Sequence, residues 1–267
     1  MANKVLKIKR NHPVVTKVKR EDQNGEPETF EERTLVDQAI AEYFAEIYRR
    51  PDHMKLSDNL NDQLEDVSMV EESIDTTALF SAEDIQEATR QSNFNKGLGP
   101  DCFDGNIICQ NEQLGTKITT EIATALNNSQ IPDYLKVGRL VPLQKTFTKG
   151  PCSLDEIRPI VVRSHISKIM EKAILERIKN TCPHLIKSKV YQTGFKEGKS
   201  TAIHVSRLVN EVHGPKKRQF NLLIDLQKAY DSVDRMILWK LLRKRCKNQQ
   251  ERSLVELIVK VHKESTI

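Results

Sequence analysis

Residues 221–235, NLLIDLQKAYDSVDR, decide how the chain is read. Leu222, Leu223 and Ile224 form an apolar run long enough for one buried strand, and Asp225 closes it with a carboxylate. Beyond Asp225 the period changes. Val233, Ile237, Leu238, Leu241 and Leu242 recur at helical spacing, with Asp231 or Ser232 placed to cap the helix. A carboxylate at the end of a buried strand costs free energy unless a cation or a donor pairs with it. Two readings stay open: a metal ligand facing a cleft, or an Asp capping a turn.

Upstream, residues 138–146, GRLVPLQKT, read as a strand with a proline at an edge, and residues 157–162, IRPIVV, as a second strand. A short polar connection makes the two a hairpin. Lys145 lies near the end of the first strand and Arg158 near the start of the second, so pairing brings two cations together. Like charges repel on a sheet. A shared anion accounts for the pair; a solvated Lys145 is the plainer alternative. Residues 164–180 form a helix whose Ile166, Ile169, Met170, Ala173, Ile174 and Ile178 make one apolar face. Lys168, Lys172, Arg177 and Lys179 line its other faces, either wet or against a polyanion.

Further back, Ser81 to Asp84 resembles a capping box opening a helix through Ile85 and Ala88. Residues 95–105, NKGLGPDCFDG, hold three glycines, a proline and two aspartates, which exclude regular structure. Residues 118–127 are helical. So are residues 35–49, with Leu35, Ile40, Tyr43, Phe44, Ile47 and Tyr48 along one stripe. Residues 51–75 are polar and acidic, as a linker is. Residues 22–27 contain Asn24-Gly25 and read as a turn. Residues 1–20 carry seven Lys and Arg and no acid, which suits either a nucleic-acid arm or a solvated charge run.

Residues 194–201, GFKEGKST, come close to the phosphate-binding P-loop, Gly-x-x-x-x-Gly-Lys-Ser/Thr. Only Phe195, Lys196 and Glu197 separate the two glycines, one residue too few for the backbone cradle. The preceding residues 187–193, KSKVYQT, are too polar for the buried strand a P-loop follows. A tight turn feeding a helix through Ala202, Ile203, Val205, Leu208, Val209 and Val212 fits better.

The composition agrees with one or two globular domains: 267 residues, 38% hydrophobic and 30% charged. A formal charge of +5, from 42 basic and 37 acidic residues, argues only weakly for a polyanion partner. No apolar run nears the roughly 18 residues of a membrane span, and the basic start lacks a signal peptide's apolar core. A membrane partner is not expected, and a cytosolic or nuclear setting is. Five cysteines, none in a Cys-x-x-Cys pair, point to reduced, mostly buried thiols.

LIDLQKAYDSVDR resembles motif A of reverse transcriptases, in the form carried by LINE-type (non-LTR) retrotransposons. Four further segments resemble the same family in the same order. Lys96, Gly99, Pro100 and Asp101 match its Lys-Ala-Pro-Gly-Pro-Asp-Gly segment, with Leu98 and Cys102 as departures. Lys145 and Arg158 resemble the fingers hairpin, and RPIVVRSHISKIMEKAILERI follows the Arg-Pro-Ile…Ser-Lys-x-x-Glu-Lys run. Gln192, Gly194, Phe195, Gly198, Ser200 and Thr201 match Gln-x-Gly-Phe-x-x-Gly-x-Ser-Thr.

The resemblance, covering residues 35 to about 245, implies an α+β, right-hand polymerase fragment. It implies a basic arm, helix and linker over 1–75, fingers over 76–215, and the first palm strand and helices over 216–267. It implies RNA-directed DNA polymerisation with an RNA template, a DNA primer, deoxynucleoside triphosphates and Mg²⁺. In it, Asp225 is the catalytic metal ligand, Tyr230 the sugar gate, and Lys145 and Arg158 the triphosphate grip. The family's second carboxylates come from an aromatic-x-Asp-Asp hairpin, and no Asp-Asp pair occurs in this sequence. The alternative expectation is therefore a non-catalytic RNA-binding module derived from a reverse transcriptase.

Overall fold

A computed structural model describes residues 15–21, 26–48, 79–145, 150–187, 191–196, 198–213, 220, 222–226, 229–230 and 233–263. Its centre is the expected hairpin. Strands β3 (Gly138–Gln144) and β5 (Ile157–Arg163) pair antiparallel, from Gly138 opposite Arg163 to Gln144 opposite Ile157. Pro142 stands opposite Pro159. Neither residue has an N–H, so this must be a non-hydrogen-bonded pair. Alternation then makes 145/156 a hydrogen-bonded position, and the Lys145 N–H donates to the Glu156 carbonyl at 2.8 Å. The two prolines thus pin the register.

The connection between these strands is not the short polar loop expected. It contains strand β4 (Cys152–Ser153) and a 3₁₀ turn at Leu154–Glu156. β4 pairs parallel with β1 (Val18–Glu21), which pairs antiparallel with β2 (Pro27–Phe30). Helix α1 (Arg33–Tyr48) covers this small sheet, burying Val36, Ala39, Ile40 and Phe44 against Val15, Val18, Cys152, Leu154 and Ile157. Val18 of β1 and the apolar stripe of α1 therefore close on the hairpin's own connection. Of the basic arm, residues 1–14 and the linker over 51–75 lie outside the described residues. Lys17 and Arg20, which are described, pair with Glu31 at 2.7 Å and Glu42 at 3.1 Å.

The larger core gathers helices α2 (Ala82–Arg90), α3 (Asn106–Gln110), α4 (Glu112–Asn127), α5 (Asp133–Lys136) and α6 (His165–Thr181). The capping box is reciprocal: Asp84 Oδ2 accepts from the Ser81 N–H at 2.8 Å, and Ser81 Oγ from the Asp84 N–H at 3.2 Å. Asn127 binds both the N–H and the carbonyl of Phe80, at 2.9 and 2.7 Å, tying the end of α4 to the entry of α2. Ile85, Leu126 and Ile169 are sealed from solvent at the centre. Burying each such side chain contributes about 1.5–3 kcal/mol.

Helices α7 (Pro183–Ile186), α8 (Thr201–Val212), α9 (Arg235–Arg245) and α10 (Gln249–Lys263) complete the order. α10 was not read from the sequence, although its Leu254, Leu257 and Val261 join the core around α6. Its other side meets α9, where Trp239 packs on Val255 and Val259, and Arg243 grips Glu256 at 2.5 and 2.8 Å. Among the described residues, no helix is long and apolar enough to cross a membrane. The five cysteines are free thiols, although Cys102 and Cys109 are exposed rather than buried.

Two further expectations are corrected. Leu222, Leu223 and Ile224 are not a buried strand; Leu223 is 95% exposed, and no strand lies beside them among the described residues. An apolar run becomes a strand only where a neighbour satisfies its backbone groups. The cap of α9 is neither Asp231 nor Ser232, which lie outside the described residues. It is Asp234, which helical geometry turns toward a capping or surface role, and its Oδ1 accepts from the Met236 and Ile237 N–H groups at 2.8 and 3.1 Å. Helix α8 forms where expected and carries its apolar residues exposed, Val205 and Val212 among them. One prediction tests this partition. Leu254→Ala should destabilise the chain in urea by about 2–5 kcal/mol. Leu223→Ala should stay within about 0.5 kcal/mol of the parent.

Candidate functional site

The hairpin register decides where the two cations go. Arg158 stands opposite Leu143, and Lys145 continues the ladder two residues beyond Leu143. Side chains alternate along a strand, so Lys145 and Arg158 project from one face, while Gln144 and Ile157 are buried on the other. A one-residue slip would set the cations on opposite faces. It would also force a proline into a hydrogen-bonded pair. Lys145 Nζ donates to the Asp155 carbonyl at 2.8 Å. The Arg158 side chain is exposed and makes no hydrogen bond or ion pair among the described residues.

The loop over 95–105 docks onto the junction between β5 and α6. A Cβ at Gly99 would lie 2.5 Å from the Ser164 nitrogen, so only glycine allows this approach. Ser164 Oγ donates to Asp101 Oδ2 at 2.5 Å and caps α6 by accepting from the Ile166 N–H at 3.1 Å. The Gly105 N–H donates to His165 Nδ1 at 2.9 Å, and Arg139 donates to the Leu98 carbonyl at 3.2 Å. Accepting at Nδ1 assigns the His165 proton to Nε2. Burial, helped by the Lys168 ammonium, pushes this imidazole below its ordinary value, against the pull of Asp104 and Asp101. Beside it, burial and then Lys96 push Lys168 down. Arg163 reaches from β5 to Glu171 and to the Leu135 carbonyl, the latter at 2.9 Å, while burial pushes the Glu171 carboxyl up. None of these partners was legible beforehand. Glycine at 99 and the Ser-His pair heading the helix were visible, but not what they would meet.

The basic faces of α6 are largely spoken for. Lys172 and Lys179 pair with Glu176 at 3.5 and 2.7 Å, and Arg177 with Asp84 at 2.6 Å. Lys168 alone of the four has no ion pair among the described residues.

Asp225 is exposed within residues 222–226, which form neither helix nor strand. Tyr230, 74% exposed, meets Phe195 edge to face, with centroids 6.0 Å apart and planes at 81°. Phe195, at φ 58°, and Gly198, at φ 67°, make the turn before α8, so that turn is brought against the residues following Asp225. No hydrogen bond, ion pair or ring contact among the described residues joins Asp225 or Tyr230 to Lys145 or Arg158. Asp234 is committed to its cap. Among the described residues no group of three or more His, Cys, Asp or Glu is arranged to hold a metal ion. One carboxylate does not fit a two-metal centre, which shares several anionic oxygens.

Two likenesses to known proteins bear on this arrangement. Residues 146–266 match the family model for reverse transcriptase (RNA-dependent DNA polymerase). The match takes in Arg158, Asp225 and Tyr230 and starts one residue after Lys145. Over 156 residues the chain is 26% identical to the RNA-directed DNA polymerase from mobile element jockey of Drosophila melanogaster. That alignment covers 57% of this chain and 17% of the relative's length. Residues 146–266 belong to the reverse transcriptases. Their type is that of the LINE-type, non-LTR retrotransposons, and the mixed α/β architecture agrees. The chemistry of the family calls for divalent metal.

The histidines predict the pH response. Burial, then Arg163 and Arg235, drive His262, which stacks on Trp239, from 6.5 down to about 4. Between about pH 4 and 6.5 the unfolded chain therefore binds more protons at this histidine than the folded one. Stability held by His262, and in the same sense by His165, is complete above that pH and declines as pH falls from 6.5 toward 4. His262→Phe, which keeps a ring against Trp239, should flatten the denaturation midpoint across that window.

Proposed function

We propose that the chain carries the fingers and the opening of the palm of an RNA-directed DNA polymerase. Its fingers hairpin would hold the triphosphate of an incoming deoxynucleotide. The observation that carries this is the proline-pinned register, which sets Lys145 and Arg158 on one face of a two-stranded sheet with buried residues behind it. Two cations on one face suit a polyphosphate better than either does alone. Arginine offers a planar fork to paired oxygens and lysine a point charge.

In the same reading, residues 76–215 are the fingers and residues 216–267 open the palm, in the manner of a right-hand polymerase, with residues 1–75 preceding them. α10 packs back on α6, so both parts share one interior. Asp225 is the first ligand for Mg²⁺. Tyr230 is the sugar gate, and its edge-to-face contact with Phe195 gives that ring a support from which to wall a ribose. RNA template and DNA primer are the remaining partners. A purely RNA-binding role has less support, because Lys172, Arg177 and Lys179 already pair with acids.

Binding of deoxythymidine triphosphate to the 267-residue chain tests the grip. Arg158→Ala should weaken it by about tenfold or more, as loss of a charged hydrogen-bonding partner does, and Lys145→Ala by less. Unchanged affinity in both variants would mean the cations are merely solvated. The same chain should not extend a primer on an RNA template with Mg²⁺ or Mn²⁺, because Asp225 supplies too few oxygens for the metals. Template-dependent extension lost in Asp225→Asn would reveal a complete metal site within these residues.

A further inference from the structure

We propose that Tyr43, on α1 and far from the hairpin in sequence, is a positioning residue for Lys145. This rests on the reading of Lys145 as a triphosphate ligand. The connection runs through one residue. The Tyr43 hydroxyl donates to Asp155 Oδ1, and the Asp155 carbonyl accepts from Lys145 Nζ at 2.8 Å. Lys145 is held at its backbone as well, through the Glu156 carbonyl at 2.8 Å.

The frame behind this connection is firm. Leu154 is buried with Val36, Ile40 and Phe44 of α1, and the Cys152 N–H donates to the Lys17 carbonyl at 3.2 Å. The Tyr43 ring leans edge-on against Phe44, with centroids 5.1 Å apart. Asp155 is therefore fixed from both sides, by packing of its neighbours and by the phenol on its carboxylate. A lysine side chain has many rotamers, and ordering it on binding costs entropy. One N–H of the ammonium spent on a fixed carbonyl aims the charge beforehand and leaves two for phosphate oxygens. α1 and the small sheet then have a second task beyond closing their own core: they hold the connection from which the Lys145 ammonium hangs.

The test is a mutant cycle on the 267-residue chain, with inorganic triphosphate as probe and isothermal titration calorimetry at low salt. Tyr43→Phe keeps the ring against Phe44 and removes only the hydroxyl. It should weaken binding roughly three- to tenfold, the size of one net hydrogen bond. In a Lys145→Ala background the same change should do nothing further. Asp155→Asn, which keeps a side-chain acceptor for the phenol, should bind like the parent. If Tyr43→Phe does not fold, Asp155→Ala replaces it in the cycle with the same expectation. Parent-like binding by Tyr43→Phe, beside a weakened Lys145→Ala, overturns the proposal and leaves the reading of Lys145 standing. Equal weakening with and without Lys145 shows a general structural role and also overturns it. No effect from Lys145→Ala removes the reading and the proposal together.

Discussion

Two residues without an N–H face each other in the middle of the hairpin, and much of the molecule hangs on that. Pro142 and Pro159 fit across from one another only in a non-hydrogen-bonded pair. Any one-residue slip would place one of them where the ladder needs a donor. The constraint costs nothing in a two-stranded sheet, whose outer edges ask for no partner. It determines which side chains share a face, and so whether Lys145 and Arg158 act together. It also sets the Arg163 end of β5 beside Leu135, where the strand hands over to α6.

From that junction the fold spreads in two directions. Toward the larger core, Ser164 and His165 collect the glycine-rich loop, while α6 lays its apolar face on α2, α4 and α10. Toward the amino terminus, the connection between the strands is claimed by β1 and α1. Charge is distributed accordingly. Lys17 and Arg20 near the amino terminus and Lys172, Arg177 and Lys179 on α6 are paired with acids, and exposed pairs of that kind contribute little to stability, about 0–1 kcal/mol. Their effect is to remove those cations from competition for an anion. Arg158 is not so engaged.

Legibility in the sequence followed the range of the interactions. The hairpin strands, α1, α2, α4 and α6 showed themselves because periodicity, capping residues and prolines act within a few positions. The capping box at Ser81 and the irregular loop at 95–105 are of the same local kind. What stayed hidden required distant partners. Val18 meets Cys152 across more than a hundred residues, and Tyr43 reaches Asp155 over a similar gap. α10 escaped notice because its buried Glu251, Ser253 and Glu256 interrupt the apolar pattern. The 222–224 run misled for the opposite reason, since hydrophobicity alone supplies no neighbouring strand. For the proposed site, hairpin geometry singled out Lys145 and Arg158, and likeness to a family singled out Asp225 and Tyr230. Their supports at Asp155 and Phe195 were not readable.

The central claim is that the proline-registered hairpin face binds the phosphates of a nucleotide. Photolabelling with a deoxynucleoside triphosphate carrying an aryl azide on its γ-phosphate, followed by peptide mapping, addresses it most directly. The expected adducts fall on peptides containing Lys145 or Arg158 and disappear when unmodified triphosphate is in excess. Adducts concentrated on residues 194–201 would contradict the account by moving the phosphates to the glycine-rich turn before α8. So would labelling that excess triphosphate does not displace.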